Sequence, residues 1–191
     1  MRTHGNESSP TVRRPLHRET ITSPSRPLGL WAASASTARL LGAMSHRLGL
    51  DWQLNSAARP ELLALTNLGE ADPARLAARC RPRRMTLCLD DKAGRDFVKQ
   101  TSFPCFTYSE SRPEADLTAH DLRSGPQGLT FLAVTKNELA RVTVPENSLY
   151  DALAARACAA ALQIPLPSAA RAVSELLCSG ENLPAPIPQL P

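Results

Sequence analysis

Between Leu28 and Lys99 three short apolar runs, Leu28 to Trp31, Leu62 to Thr66 and Met85 to Leu89, are each followed by a segment of helical periodicity. This repetition constrains the fold more than any other feature. A strand that reaches the next strand through a helix returns in the same direction, so serial β-α units build a largely parallel sheet covered by helices. The first helix runs to about Leu48, with Ser34 or Ser36 placed to cap it and Leu40, Leu41, Met44 and Leu48 as its apolar stripe. The second spans Ala74 to Arg79. Asp90 and Asp91 turn the chain into a third, near Gly94 to Lys99.

The pattern then changes. Cys105 to Ser109, Asp116 to Leu122, Gly128 to Thr135 and Leu139 to Val144 are short alternating runs separated by polar turns, which predicts a small antiparallel sheet. Gly125-Pro126-Gln127-Gly128 and Lys136-Asn137-Glu138 supply the reversals. An Ala-rich helix from about Leu149 to Leu162 follows, then Pro165 and Pro167 as breakers, then a helix from Ser168 to Cys178 stopped by Gly180. The expected class is therefore α/β: a mostly parallel sheet of β-α units with a small antiparallel β insert and two C-terminal helices.

Composition limits what surrounds this domain. A chain of 191 residues holds one domain plus tails, and eight of its 17 prolines fall in residues 1–27 and 181–191. We expect a disordered basic tail over 1–27, the domain over 28–180 and a Pro-rich tail over 181–191. The tail's five arginines face only Glu7 and Glu19, so most of the net charge of +4 sits outside the domain. Only Arg79, Arg81, Arg83 and Arg84 cluster within it, and no stacking aromatics accompany them, so a nucleic-acid partner is not expected. Five cysteines form no C-x-x-C pair and read as buried or free thiols. No apolar run approaches the roughly 18 residues of a membrane span, and Met1 to Pro27 lacks the core of a secretion signal. A cytoplasmic protein without a membrane partner is expected.

Polar residues gather where the strands end, at the edge where open α/β sheets bind ligands. Ser36 and Thr37 stand at the turn after the first strand, either as caps or as the hydroxyl end of a phosphate loop. That turn contains no lysine; the first in the chain is Lys92. Thr66 and Asn67 follow the second strand, with Asp72 shortly beyond. Asp90 and Asp91 end the third, where one caps the next helix and the pair could also hold magnesium through water. Tyr150 and Asp151 begin the Ala-rich helix, placed either to face a nucleotide or to set a negative charge at a helix start.

Taken in order, Leu65-Thr66-Asn67-Leu68-Gly69, Leu89-Asp90-Asp91 with Gly94-Arg95, Ala115-Asp116-Leu117-Thr118-Ala119, Gly128-Leu129-Thr130-Phe131 and Leu149-Tyr150-Asp151-Ala152-Leu153-Ala154-Ala155 resemble the central domain of the Mur ligases. The likeness is greatest to the UDP-MurNAc-tripeptide synthetases and covers roughly Leu28 to Leu183. It implies ATP and magnesium as cofactors and an amide-forming reaction: a carboxylate of a UDP-linked muramyl peptide is phosphorylated, and an amino acid's amine attacks the acyl phosphate. It also implies departures. The lysine of the family's phosphate loop is Ser36, with Thr37 retained. The histidine that follows the position of Asp72 is Pro73, the asparagine of the Asp-Asp turn is Cys88, and the two asparagines at the adenine are Ser148 and Asp151. About a dozen residues separate the first helix from Leu62, too few for the family's intervening strands, and Asp72 to Arg84 contains no lysine to be carbamylated. The family's flanking UDP-binding and amino-acid-binding domains have no counterpart.

The expectation is a catalytically impaired, Mur-ligase-like binding or scaffold protein, a pseudoenzyme. It has no assigned catalytic or metal residue and retains a nucleotide, a UDP-muramyl peptide or a protein as candidate partners. Two alternatives stay open: a ligase fragment active only with missing domains or partner chains, and an Arg-rich nucleic-acid-binding protein.

Overall fold

All four residues of the run Leu62–Leu65 are buried, because this strand lies between helical layers on both faces of one sheet. The computed structural model describes residues 28–32, 34–55, 59–66 and 72–178; Asn67 and both proposed tails lie outside the described residues. In chain order the elements are β1 (Leu28–Ala32), α1 (Ala35–Leu48), β2 (Trp52–Leu54), β3 (Leu62–Leu65), α2 (Pro73–Cys80), β4 (Arg84–Cys88) and α3 (Lys92–Gln100). They continue with β5 (Cys105–Ser109), β6 (Leu117–Gly125), β7 (Gly128–Thr135), β8 (Leu139–Val144), a short 3-10 turn (Glu146–Ser148), α4 (Leu149–Ala161) and α5 (Leu166–Cys178). The strands form a single sheet in the order β2-β1-β3-β4-β5-β6-β7-β8. Pairing is parallel from β2 to β6 and antiparallel from β6 to β8. The α/β class and the two closing helices are as expected.

Period-2 alternation sorts the side chains between two cores. Leu62 and Ala64 join Leu30, Leu40, Leu41 and the residues of α4 and α5 on one face, whereas Leu63 and Leu65 join Met85, Leu87 and Ala77 on the other. Helix α4 is buried almost all round, and its alanines at 152, 154, 155, 157 and 159 are fully inaccessible. Small side chains let it sit close to the sheet, which brings its first turn to the sheet's carboxyl edge.

Three expectations need correction. Strand β2 was not foreseen: three residues carry no readable period, and β2 is identified only by its parallel pairing with β1. Asn55 ends it with φ 54°, and its Oδ1 accepts a hydrogen bond from Ala32 N at 3.0 Å. Second, the run Cys105–Ser109 does not belong to a separate antiparallel sheet; β5 pairs parallel with both β4 and β6. Alternation reports which face is buried but not strand direction. β6 begins beside the end of β5, with Leu117 opposite Tyr108, so a short loop joins two parallel strands without a crossover helix. The antiparallel strands therefore extend the same sheet. Third, α5 starts at Leu166, so Pro167 lies inside its first turn, where the missing N–H costs no helical bond.

Candidate functional site at the carboxyl edge of the sheet

The ends of β1, β3, β4 and β5 and the start of α4 meet at one edge. Ser34 caps α1 by accepting from Thr37 N at 3.4 Å, whereas Ser36 is solvent-exposed. Thr37 is fully buried, and its hydroxyl donates to Asp151 Oδ1 at 2.8 Å; Ser34 Oγ donates to the same oxygen at 3.2 Å. Thr66 Oγ1 lies 3.5 Å from Thr37 Oγ1, so the ends of β1 and β3 and the first turn of α4 share one hydrogen-bonded cluster. A carboxylate thus stands at the N-terminal turn of α1, where the helix dipole favours negative charge.

A second cluster surrounds Asp90. Its Oδ1 accepts from Ser109 Oγ at 2.5 Å and Ser111 Oγ at 2.8 Å, and its Oδ2 accepts from Glu110 N at 2.7 Å. Burial alone would push this carboxyl up, but the donors at Ser109, Glu110 and Ser111 outweigh it and hold the group below the usual carboxylate range. Cys88 Sγ lies 4.0 Å from Asp90 Oδ2, and burial raises that thiol to about 11, so it stays protonated at neutral pH. Tyr150 donates to Glu110 Oε2 at 3.0 Å; burial, the charge of Asp90 and this bond to Glu110 all raise its phenol. Cys88, Asp90, Asp91, Lys92 and Tyr150 line a cavity of about 320 Å³.

Two of the remaining candidates cap helices. Asp91 caps α3 by accepting from Ala93 N at 3.0 Å, and Asp72 caps α2 by accepting from Ala74 N at 2.9 Å. Replacing Asp72 by Ala is expected to lower stability by about 1 kcal/mol in urea denaturation, the usual worth of such a cap. A loss within error would show the cap to be idle. The structure therefore brings Thr37, Thr66 and Asp151 into one group and Asp90 and Tyr150 into a second, and it sets Ser36 apart from both. Sequence reasoning missed Ser109, Glu110 and Ser111 as the partners of Asp90. The serines flank the end of a strand, where such residues are ordinary turn formers, so they gave no separate signal.

Comparison with known proteins bears on this edge. No protein-family model matches the chain. The UDP-N-acetylmuramoyl-L-alanyl-D-glutamate--2,6-diaminopimelate ligase of Bacillus licheniformis is 31% identical over 115 residues, which cover 54% of this chain and 23% of that ligase. The enzyme of the same name from Bacillus velezensis is 32% identical over 99 residues, covering 50% of this chain and 20% of its own. This chain is related to the Mur ligases. It spans about a quarter or less of these relatives' length. The structure of the UDP-N-acetylmuramoylalanyl-D-glutamyl-2,6-diaminopimelate--D-alanyl-D-alanyl ligase from Acinetobacter baumannii superposes with a TM-score of 0.62 at 15% identity, over 78% of this chain and 46% of that one. The eight-stranded sheet described above is thus a Mur-ligase-like α/β fold.

Proposed function

We propose that this chain is a Mur-ligase-derived domain that no longer runs the ATP-dependent amide-forming reaction and serves as a binding or scaffold protein. The single observation that carries the reading is the Asp151 carboxylate at the N-terminal turn of α1. A phosphate loop offers hydroxyls, free amides and a lysine to an anion. Here the Thr37 and Ser34 hydroxyls are already given to a carboxylate of the chain itself. A phosphate entering that turn would meet a fixed negative charge and lose those two donors. The position of the loop lysine is Ser36, and Lys92 instead pairs with Asp96 at 2.6 Å.

ATP and magnesium, which the lineage implies, fit these residues poorly. Among the described residues no group of three or more His, Cys, Asp or Glu side chains is arranged to hold a metal ion. Asp90 is taken by three donors, and Asp72 and Asp91 cap helices. Losing one preorganised electrostatic group typically costs about 10²–10³ in rate, and such losses are not simply multiplicative. Descent from the type that adds the third amino acid to the UDP-muramyl peptide is the finer part of this proposal, supported by the two Bacillus relatives. Cytoplasmic residence rests on the same descent; among the described residues no helix is long and apolar enough to cross a membrane.

Isothermal titration tests the reading. We expect no binding of Mg-ATP to the full chain up to millimolar concentration, and detectable binding of ATP or pyrophosphate once Asp151→Ala removes the fixed charge. Micromolar binding by the unaltered chain overturns the proposal. So does ATP turnover that depends on a UDP-muramyl peptide and an amino acid, which is the outcome expected of a ligase part completed by partner chains.

A further inference from the structure

In the sequence Arg81, Arg83 and Arg84 form a basic cluster without aromatic neighbours, and nothing at the carboxyl edge of the sheet employs them. The fold supplies the aromatics. Three parallel strands are entered side by side at the amino edge, each through a proline: Arg59-Pro60-Glu61 before β3, Arg81-Pro82-Arg83 before β4 and Phe103-Pro104 before β5. Arg83 N donates to the Pro60 carbonyl at 3.2 Å, and Met85 N donates to the Pro104 carbonyl at 3.0 Å. Neighbouring strands stand about 4.8 Å apart, so the backbone at Arg59, Arg83 and Phe103 crosses this edge within roughly 10 Å. Parallel pairing thus sets two phenylalanines, Phe103 and Phe106, beside arginines that are distant from them along the chain.

The charge at this edge is only partly spent. Glu61 meets two of the arginines, with Oε2 at 3.5 Å from Arg83 Nε and Oε1 at 3.4 Å from Arg84 Nη2. Arg84 also donates from Nη1 to the Ala161 carbonyl at 2.6 Å, which covers the negative end of α4. Arg59, Arg81 and Arg83 are exposed, and the Arg83 side chain is 81% so, which leaves its outer nitrogens to solvent. Arg81 is held there at a cost: it follows α2 with φ 47°, the left-handed position where glycine is the usual residue. Phe103 is 39% exposed, and Phe106 lines a hollow of about 250 Å³ with Arg83, Arg84 and Pro104. Exposed guanidinium groups next to accessible rings match a ligand that carries repeated negative charge and flat rings together. An acidic peptide would satisfy the first and leave the second unused.

We propose that the amino edge of the sheet binds single-stranded nucleic acid, its phosphates on Arg59, Arg81 and Arg83 and its bases stacked on Phe103 and, in the hollow, against Phe106. Arg84 is a positioning residue, holding Glu61 and the end of α4 away from the phosphates. The surface lies at the edge opposite Thr37, Asp90 and Asp151 and does not depend on the pseudoenzyme reading.

Fluorescence anisotropy of the full chain tests it, with labelled oligothymidylate and oligouridylate of about 12 nucleotides as probes and polyglutamate as a competitor without bases. At least one probe is expected to bind with a Kd of about 10–100 µM at low salt. Arg83→Ala is expected to weaken binding about 3–10-fold and to flatten the dependence of log K on log salt by about 0.7, the share of one phosphate contact on a single strand. Phe103→Ala is expected to weaken it about 5–10-fold with that slope unchanged, and Phe103→Trp to restore it. Both side chains are exposed, so the variants are expected to melt with the unaltered chain. Silence from both probes overturns the proposal. So does binding that neither Arg83→Ala nor Phe103→Ala alters, which would place it on the five arginines of residues 1–27. Polyglutamate competing as well as the oligonucleotides at equal charge also overturns it, in favour of an acidic protein partner.

Discussion

Gly94→Ala is expected to destabilise the protein by about 3 kcal/mol, although the same exchange inside an exposed helix ordinarily stabilises. A Cβ at residue 94 would stand 2.3 Å from the carbonyl oxygen of Cys88, a separation that real Cβ atoms do not show. The obstacle is backbone at the end of a buried strand, so it cannot rotate away; α3 has to lift off β4. Two further sets of contacts depend on the present spacing. Arg95 Nη1 donates to the Leu89 carbonyl at 2.7 Å and to the Asp90 carbonyl at 2.8 Å, and Ala93 and Phe97 pack on the core that holds Leu63, Leu65 and Leu87. Gly42→Ala supplies the contrast. There the nearest atom is the Cδ1 of Leu54 at 3.1 Å, the end of a flexible side chain, so we expect a change within about 1 kcal/mol. Urea denaturation of both variants measures the difference, and equal stabilities would show that the α3–β4 contact yields freely.

The same contact explains why part of the fold was legible in the sequence. Leu62 to Thr66 and Met85 to Leu89 announced themselves because a strand buried on both faces must be apolar throughout, and Asp91 because a helix start needs an acceptor for its free amides. Trp52-Gln53-Leu54 did not, since a three-residue edge strand is defined by its neighbour's hydrogen bonds and not by its own period. The direction of β5 was hidden for a related reason: Cys105 to Ser109 alternates equally well in either orientation, and only its pairing with Met85 to Cys88 decides.

At the candidate site the sequence supplied the members but not their pairings. Thr37 and Asp151 are 114 positions apart, and nothing in either segment says that the hydroxyl of one is donated to the carboxylate of the other. The resemblance placed Asp151 at a nucleotide. The geometry puts it where it completes the chain's own polar cluster. Arg156 was invisible for the opposite reason, because an arginine in an Ala-rich helix reads as a solvated position, whereas α4 is buried almost all round and Arg156 is fully inaccessible.

Asp90→Asn is expected to cost about 2–3 kcal/mol at pH 7 and to remove part of the protein's sensitivity to acid. The carboxylate ties the end of β4 to the end of β5 and the loop beyond it, accepting from Ser109, Glu110 and Ser111. An amide turns one of those acceptors into a donor and sets it against a donor already in place. The sign of the pH effect follows from the direction of the shift. Because the folded carboxyl is held below its ordinary value, its contribution is fully present above the unfolded pKa of about 3.9 and is lost as pH falls through the lower folded value. The gap in stability between the unaltered chain and Asp90→Asn should therefore be widest near neutrality and should narrow from about pH 5 downward. Asp90 is only partly buried, so solvent screens part of the effect and the narrowing will be smaller than a fully enclosed carboxylate would give. Urea denaturation across that range measures the gap directly. A gap that stays constant with pH would mean that the loop is held by the shape of residue 90 and not by its charge.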